Sequence, residues 1–544
     1  MKRLFTGRFN DYSVSHFQRD ITSGVIVGVI AIPLAMAFSI ASGVNPEYGL
    51  YTTIIAGIII SLLGGSKYQI GGPTGAFVPI LFGVVITYGY QDLLLAGLMA
   101  GIFLCVLGFL KLGNLISYIP VPVTIGFTSG IAVIIFTGQI GNFFGLTNME
   151  SHEFFIDNLK EIISNFPSIN VNSVLIAAIC LTIILLLSKV LPKIPGSLVG
   201  LIVSSIIAAA LFPDQVQTIG SVYGGIPKSL PEFALPEITW ERIVRLLGPA
   251  LAIAMLGGIE SLLSAVVADG MTNSKHNSNR ELIGQGVANI VTPLFGGIPA
   301  TGAIARTATN IKSGAASPLS GVIHGLFVLL TLLLFAPYAS HIPLASMAPI
   351  LMMVAWNMSE RKQFGHLLKM KSGDSIILLL TFGLTVFASI TIAVGAGLTM
   401  AVILFVKRMT QSVQLHSDDE TDQQIQEYEH QEIKIFSVEG PIFFGAAQLM
   451  EQRLKRSLHT KPKFLIIRVH DVPFIDSTGD DYLRKLIGDF RRNGSIMLIS
   501  EARVDVLESM KKSGLLHHLG PEHYFETVDE AIEFASSQFT SVPA

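Results

Sequence analysis

The sequence has 544 residues, of which 50% are apolar and 14% are charged, and its mean hydropathy is +0.59. Soluble domains carry about 25% charged residues, so this composition predicts a protein that resides mostly in a lipid bilayer. The formal net charge of −3, without a compact Lys/Arg run, excludes nucleic-acid binding, and two cysteines inside apolar stretches exclude a disulfide framework.

Apolar segments of the length that a helix needs to cross a bilayer recur along most of the chain. Residues 1–20 are basic and polar and lack the apolar core of a signal peptide, so we predict a cytoplasmic N-terminal segment followed by a retained first span. The predicted full-length spans are residues 22–42, 48–64, 92–112, 121–141, 173–191, 197–213, 246–268, 282–296, 318–336, 343–358, 375–392 and 394–409. Two further segments, 74–88 and 301–313, are shorter or less apolar and begin at Gly/Pro clusters, which brings the prediction to fourteen crossings.

The distribution of basic residues tests this count, because short cytoplasmic loops hold an excess of Lys and Arg. With fourteen crossings, both termini and the loops around Lys67, Lys193 and Lys371 lie inside, while acidic residues such as Glu150 and Asp157 lie outside. The pattern is lost if either short segment does not cross. We therefore expect a multi-pass protein of the cell membrane with both termini cytoplasmic.

Beyond the last apolar segment the chain has the composition of a soluble protein. Residues 410–431 are polar and acidic and are predicted to form a linker. Residues 432–538 alternate strand-like runs (IKIFSVEG, FLIIRVH, SIMLIS) with helix-like runs (MEQRLKRSL, VDVLESMKKSG, VDEAIEFASSQ), which predicts one small α/β domain. The membrane domain is therefore assigned to residues 21–409 and a short tail to residues 539–544.

Similar strings open the two short segments. GGPTGA at 71–76 and GGIPATGA at 296–303 share Pro, Thr, Gly and Ala in the same order. Their glycines, Gly75 and Gly302, lie 227 residues apart, which is near half of the chain length that the fourteen segments span. Each short segment is therefore the third of seven segments in its half. Because seven is odd, the two halves are inverted in the membrane, and Gly/Pro-interrupted segments at matching places of inverted halves mark a transporter's midplane binding site.

We call the Gly/Pro strings at 71–76 and 296–303 the first and second breaks, and their chemistry favours an anion. A helix that begins in mid-membrane presents unpaired backbone N–H groups and the positive end of its dipole, and two such ends can bind an anion without a metal ion. Threonine hydroxyls add donors, and small residues let the anion approach the backbone. The predicted anion-binding residues at the breaks are Thr74, Gly75, Ala76, Thr301, Gly302 and Ala303. The alternative is that Gly and Pro only permit close helix packing.

Two charged residues stand inside apolar helices. Glu260, in LAIAMLGGIESLLSAVVADG, must be protonated, paired or facing a polar cavity, so we predict a coupling role, with Ser261 and Ser264 as neighbouring oxygen donors. Arg306, early in the second broken helix, either faces the anion or neutralises Glu260. The alternative for both is a purely structural ion pair. His324 is predicted to be a packed residue.

Several longer strings carry a family resemblance. They are IPLAMAFSIASGVNPEYGLY, GGPTGAFVPI, and the block from IESLLSAVVADGM through HNSNRELIGQG to FGGIPATGAIARTATN. These strings resemble the sulfate permease (SulP) anion transporters, whose animal members form solute carrier family 26. The later strings VEGPIFFGAA and VPFIDSTG resemble a STAS domain, the soluble module usually fused behind these carriers.

The resemblance implies two inverted repeats of seven segments, divided into a core domain that carries the substrate and a gate domain against which the core moves. It implies an elevator-type secondary active transporter, without a cofactor, that forms a homodimer. The anion is expected between the third and tenth segments, with Ala35, Met36 and Phe38 of the first segment contributing. An acidic residue on the eighth segment couples cations in some bacterial members, and Glu260 matches it. Family members that use sodium can carry an Asp at this position and a Thr one helical turn later. This chain has Glu260 and Ser264 instead, so the resemblance implies that the coupling ion is a proton rather than sodium.

The DSTG string of the STAS-like region resembles the loop that is phosphorylated on serine in anti-anti-sigma factors. Ser477 is the matching position and therefore a candidate phosphorylation site, at a helix start that would suit a phosphate. The alternative is that Ser477 only caps the helix. A cytoplasmic partner is expected at this domain.

Three functions remain open at this stage. The first is a proton-coupled carrier of a small anion, with sulfate-type anions, bicarbonate and C4-dicarboxylates all used by the family. The second is an anion channel or sensor that signals through the STAS domain, and the third is a nucleobase symporter of the same fold. No P-loop or nucleophile motif indicates an enzyme.

Overall fold

A computed structural model of the chain describes residues 12–114, 119–191, 194–229, 232–370, 372–417, 432–445, 450 and 462–540. The chain divides into two units, Met1–Leu398 and Thr399–Ala544, and each is described by itself.

The first part of the chain is helical. Its helices in the described residues are α1 (Val14–Ala41), α2 (Pro46–Leu63), α3 (Val78–Tyr88), α4 (Tyr90–Phe109), α5 (Val121–Gly138), α6 (Ile140–Phe144), α7 (Phe155–Asn165), α8 (Val171–Val190), α9 (Gly196–Leu211), α10 (Ile219–Tyr223), α11 (Trp240–Thr272), α12 (Ser278–Val291), α13 (Ile304–Lys312), α14 (Leu319–Ala339), α15 (Leu344–Met358), α16 (Arg361–Lys369), α17 (Gly373–Phe387) and α18 (Ile390–Gln411). Helices α6, α7, α10 and α16 are connecting helices that the sequence did not predict. The other fourteen match the fourteen predicted segments.

Helix length separates the two short segments from the rest. Within the described residues, eight helices are long and apolar enough to cross a membrane, and three shorter apolar helices accompany them. Helices α3 and α13 have 11 and 9 residues. At 1.5 Å per residue they span about 16 and 14 Å, roughly half of a bilayer core. Both are therefore half-helices, each preceded by non-helical chain.

Helix α1 begins earlier than predicted, at Val14 rather than residue 22. The Ser13 hydroxyl accepts a hydrogen bond from the backbone N–H of His16, and the His16 ring accepts one from the N–H of Ser13, so the first turn is capped. Asp20, in this added stretch, accepts hydrogen bonds from the backbone N–H groups of Ala316 and Ser317. Hydropathy alone does not detect a polar turn that is held by capping and by a tertiary contact.

The membrane helices pack in two groups. Helices α1 to α4 pack with α11 to α14, and we call these eight helices the core group. Helices α5, α8, α9, α15 and α17 pack among themselves, and we call them the gate group. Small residues allow close crossings in the core group: a Cβ on Gly101 of α4 would lie 2.6 Å from the carbonyl oxygen of Gly286 on α12.

The second part of the chain contains a five-stranded sheet. Its elements are β3 (Gln414–Ser417), β4 (Ile433–Glu439), β5 (Phe464–Arg468), α19 (Ser477–Arg492), β6 (Ile496–Ser500), α20 (Val504–Ser513), α21 (Leu515–Leu519), β7 (Tyr524–Phe525) and α22 (Val528–Thr540). The strand order is β3-β4-β5-β6-β7, with β3 antiparallel to β4 and the other pairs parallel. The predicted strands and the last two predicted helices are present, whereas the predicted helix MEQRLKRSL lies outside the described residues apart from Met450.

Alternating side chains along the central strands build a core on both faces of this sheet. Leu465 and Ile467 of β5 belong to the cluster that contains α19 and α20, while Phe464 and Ile466 belong to the cluster that contains α22. One boundary differs from the sequence prediction. Residues 414–417, assigned to the linker, form the edge strand β3, because their backbone pairs with β4.

Candidate anion site

The two broken segments meet in a two-stranded ribbon. Strand β1 (Gly71–Gly72) pairs antiparallel with β2 (Thr301–Gly302), with Gly71 opposite Gly302 and Gly72 opposite Thr301. The pairing satisfies backbone groups that cannot find water inside a bilayer. Gly72 has a φ of 149°, which a side chain would disfavour, and a Cβ there would lie 2.8 Å from Nη1 of Arg306. The repeat found in the sequence is therefore a paired structural element.

A helix starts directly after each strand. A 3₁₀ turn at Gly75–Phe77 leads into α3, and α13 starts at Ile304. The N-cap residues Thr74 and Ala303 make no side-chain capping hydrogen bond. Two helix N-termini thus share one ribbon, and their first-turn N–H groups are not capped by a side chain, which is the arrangement that binds anions.

Two buried donors beside this ribbon lack partners among the described residues. Arg306 is 3% exposed, and its Nη2 donates to the carbonyl oxygen of Pro73 while its Nη1 has no hydrogen-bond partner. Thr74 is 8% exposed, and its hydroxyl also has none. Buried polar groups are nearly always hydrogen-bonded. A guanidinium N–H and a hydroxyl left unused at the start of half-helices fit the oxygen atoms of an anion.

Apolar side chains close one side of the site at Gly75. A Cβ on Gly75 would lie 2.9 Å from Sδ of Met358, 3.3 Å from Cε1 of Phe38 and 3.4 Å from Cδ1 of Ile135. Phe38 was predicted at the site from the resemblance. Ile135 of α5 and Met358 of α15 were not predicted, because an apolar residue in an apolar helix gives no signal in a single sequence.

Ala35 and Met36 were also predicted at the site, and Met36 faces elsewhere. The carbonyl oxygen of Ala35 lies against Gly49 of α2, where a Cβ would approach within 2.1 Å. Met36 lines an apolar cavity of about 400 Å³ together with Leu50 and Val328. Residues of one helix turn point in different directions, so Phe38 reaches the break while Met36 turns to the apolar cavity, and the role of Ala35 stays a prediction.

The hydroxyls of the second break attach it to α11. The Ser261 hydroxyl lies 2.8 Å from that of Thr301 and accepts a hydrogen bond from the N–H of Gly302 at 3.0 Å. Ser264 donates to the Thr307 hydroxyl at 3.2 Å. Thr301 and Ser264 were predicted to serve the anion and the coupling cation, respectively. In the structure their hydroxyls bond neighbouring protein groups, and Thr74 is the threonine left free.

Glu260 is buried, with 6% exposure, one residue before Ser261. No ion pair joins it to Arg306 in the described chain, so the structural ion-pair alternative is not present. No group of three or more His, Cys, Asp or Glu side chains that could hold a metal ion occurs among the described residues.

A polar network that the sequence analysis missed supports the breaks. The Glu281 carboxylate accepts hydrogen bonds from the N–H groups of Gly65 and Ser66, at 2.7 and 3.0 Å, and from the side-chain amides of Gln69 and Gln285, both at 2.9 Å. These bonds satisfy non-helical backbone that lies before β1. The signal was present in NRELIGQGVANI, where acidic and amide residues recur every four positions and so share one helix face.

A cavity of about 760 Å³ lies between the core and gate groups. Its wall includes Val78 of α3, Ile135 of α5 and Pro249 of α11, and it extends to Glu150 in the loop that precedes α7. Because Ile135 also lies against Gly75, the cavity reaches the neighbourhood of the first break.

In the STAS-like unit, Ser477 is exposed and is the first residue of α19. The N-cap is Asp476, whose Oδ1 accepts a hydrogen bond from the N–H of Gly479 at 2.7 Å. The interpretation of Ser477 as a helix cap is therefore wrong, and its hydroxyl stands free of that role at a helix N-terminus.

Comparison with known proteins agrees with this geometry. The sulfate permease family matches residues 17–381, and the STAS domain matches residues 424–531. The "Putative sulfate transporter YvdB" of Bacillus subtilis (strain 168) is 52% identical over 526 residues, covering 97% of this chain and 99% of the relative. The transmembrane domain of the cyanobacterial bicarbonate transporter BicA is 32% identical, covers 72% of this chain and 98% of its own, and superposes with a TM-score of 0.62.

A more distant likeness covers both units. The murine Solute Carrier 26 family member A9 anion transporter, solved in the inward-facing state, superposes with a TM-score of 0.88 over 98% of this chain and 94% of its own, at 18% identity. This likeness shows the fold, and the predicted polytopic helical fold with a small α/β STAS domain is confirmed. The relatives are named as transporters, which supports the expectation that the chain is not an enzyme. The chain belongs to the sulfate permease family, and its C-terminal part is a STAS domain.

Proposed function

We propose that this protein is a proton-coupled secondary active transporter of a small oxygen-bearing anion, of the sulfate or bicarbonate type. The observation that carries the proposal is a pair of buried donors, Arg306 Nη1 and Thr74 Oγ1, at two half-helix starts. Neither donor has a hydrogen-bond partner in the part of the chain that the structure describes. Compact anions with several oxygen atoms can accept from all of these donors at once.

The names of the relatives support this substrate class. YvdB is named as a putative sulfate transporter and BicA as a bicarbonate transporter. The donors at the breaks distinguish anions by charge more than by shape, so C4-dicarboxylates are a third candidate. The uptake experiment described below therefore compares all three classes of anion.

Glu260 is the proposed proton-coupling residue. It lies on α11 next to Ser261, which bonds the second break, so a change of its charge acts on the segment that holds the anion. A buried carboxylate without a cationic partner is most stable when it holds a proton. Proton uptake and anion uptake then favour the same state of the site, which is symport.

Movement of the core group against the gate group is the proposed route of access. The cavity between the groups is lined by both, and the breaks belong wholly to the core group. A rigid shift of the core group would carry the anion with both half-helices, which is the elevator arrangement. We further propose a homodimer in the cell membrane with both termini cytoplasmic, and a STAS domain that binds a cytoplasmic partner and is phosphorylated at Ser477.

The test is uptake of labelled sulfate, bicarbonate and succinate into proteoliposomes, with and without an inward proton gradient and with and without sodium. We expect one anion to accumulate above its external concentration only when the proton gradient is present. Glu260→Gln should abolish this accumulation while anion exchange at zero gradient continues.

Glu241→Gln is the matched control, because Glu241 is an exposed carboxylate at the start of the same helix. Equilibration without accumulation would identify an anion channel instead. Proton-driven accumulation that survives in Glu260→Gln would remove Glu260 from the coupling role, and accumulation that needs sodium would replace the proton.

A further inference from the structure

The apolar cavity that Met36 lines is bounded by both helix groups. Its lining runs from Leu198 to Ala209 on α9 of the gate group and from Val328 to Ala339 on α14 of the core group. On α9 the lining residues recur at intervals of three and four, so one face of that helix borders the cavity. The cavity therefore lies between the two groups and is separate from the breaks.

The length of this cavity matches one leaflet of a bilayer. Eleven residue steps, from Leu198 to Ala209 or from Val328 to Ala339, span about 16 Å of helix. The hydrocarbon core of a bilayer is about 30 Å thick, so each leaflet contributes about 15 Å. The volume of about 400 Å³ is thus distributed along a path as long as the hydrocarbon of one leaflet.

The cavity opens on the lipid-facing surface and reaches into the protein. Ile206 of α9 and Phe335 of α14 line its mouth and are 63% and 56% exposed. Met36, Leu201 and Leu332 line its interior and are buried. An occupant of the interior therefore contacts side chains that lipid at the outer surface of the helices does not reach.

The cavity is unsuited to water. The Ser205 hydroxyl donates to the carbonyl oxygen of Leu201 at 2.7 Å, and the Thr331 hydroxyl donates to that of Phe327 at 2.9 Å. Both hydroxyls are thus engaged within their own helices. A buried water needs two to four polar partners, and apolar side chains make up most of this lining. Hydrocarbon is the material that satisfies such a surface.

Polar side chains mark one end of the cavity. Tyr338, near the end of α14, and His341, in the turn that follows, line it and are exposed. Tyrosine is enriched where a bilayer meets water, because its ring is apolar and its hydroxyl is polar. In the proposed orientation this end of α14 lies at the outer face of the membrane. A lipid headgroup can lie beside these two residues while its chain enters the cavity.

We infer that the apolar cavity binds one acyl chain of a phospholipid of the outer leaflet. A cavity without an occupant destabilises a protein in proportion to its volume. The path is about three helical turns long, and a flexible acyl chain can follow it, whereas the surface of a second copy of this protein could cover only its mouth. The bound chain contacts α14 and α9 at once, so it links the core group to the gate group. Acyl-chain binding goes beyond the proposed transport and does not depend on it.

The test is photolabelling of the full-length protein in proteoliposomes. The probe is a phosphatidylcholine with a diazirine in the middle of one acyl chain, and mass spectrometry identifies the labelled residues. We expect adducts on the buried residues Met36, Leu201 and Leu332. Leu330 and Leu334, exposed on another face of α14, report contact with bulk lipid and should be labelled as well.

Two neighbouring alanines of α9 provide matched variants. Ala209 lines the cavity, whereas Ala210 lies outside its lining, and both are exposed, so neither substitution crowds a packed interior. Ala209→Phe should remove the adducts on buried residues and keep those on exposed residues. Ala210→Phe should keep both kinds. Ala336→Leu, which fills the cavity from α14, should give the same loss as Ala209→Phe.

Three results would overturn the acyl-chain site. Adducts confined to the exposed leucines of the parent would show that no chain enters the cavity. Buried adducts that persist in both Ala209→Phe and Ala336→Leu would show that the probe reaches those residues by another path. Disulfide-linked dimers of Ile206→Cys, formed in the bilayer without buried adducts in the parent, would assign the mouth to a second copy of the protein.

Discussion

Truncation of Arg306 is the most direct test of the anion site. The Arg306 guanidinium is buried, one of its terminal nitrogens is bonded to Pro73, and the other has no partner among the described residues. Arg306→Ala therefore removes one charge-assisted donor that is available to a ligand, together with the positive charge. A hydrogen bond to a charged group contributes about 1.5–3 kcal/mol, and every 1.4 kcal/mol changes the dissociation constant tenfold. We expect binding of sulfate or bicarbonate to weaken about 10- to 150-fold.

The measurement is isothermal titration calorimetry of the purified protein with each anion. Arg306→Lys keeps the charge but cannot bond the Pro73 carbonyl and an anion through a planar fork, so an intermediate loss is expected. Lys312→Ala is the control, because Lys312 is an exposed cation at the other end of the same helix and should leave the affinity unchanged. Thermal unfolding of each variant checks that the loss of the Pro73 contact has not unfolded the ribbon.

Two results would refute this reasoning. A parent-like affinity in a folded Arg306→Ala protein would place the anion out of reach of Arg306. An equal loss of affinity in Lys312→Ala would show that the anion responds to the overall positive charge rather than to a specific donor.

Two further predictions concern stability. In Gly302→Ala the new Cβ would lie 2.0 Å from Nε2 of Gln69, so the buried amide must leave its partners, and the free energy of unfolding should fall by about 1–3 kcal/mol. In Gly75→Ala the one approach under 3.0 Å among the described residues is to the flexible end of Met358, so the unfolding temperature should fall less than in Gly302→Ala. Equal losses of stability in the two variants would contradict the crowding at Gly302. Asp476→Ala removes the cap of α19 and should destabilise its first turn by about 0.5–2 kcal/mol. Hydrogen exchange of the full-length protein measures this loss as faster exchange of the first-turn amides. Asp476→Asn retains a capping oxygen and should keep parent-like protection.

Much of the architecture could be predicted because its signals are local. Apolar length located twelve membrane segments, and the Gly/Pro clusters located the two broken ones, since glycine and proline act on the backbone at their own positions. Glu260 and Arg306 stood out because a charge in an apolar helix is rare. The alternation of strand and helix patterns likewise predicted the α/β character of the C-terminal unit.

The roles of individual side chains were decided by the tertiary structure. Thr74 and Thr301 occupy equivalent places in the repeat, yet α11 supplies Ser261 to bond Thr301, whereas Thr74 has no hydrogen-bond partner in the described chain. Met36 turns toward an apolar cavity while Phe38 reaches Gly75.

Residues distant in the sequence complete the site for the same reason. Ile135 and Met358 are brought to the first break only by the packing of the gate group against the core group. Hydropathy and backbone chemistry, which the sequence carries residue by residue, thus determine where the membrane segments and their breaks lie. Which donor stays free for an anion depends on neighbours from other helices, and only the packed structure supplies them.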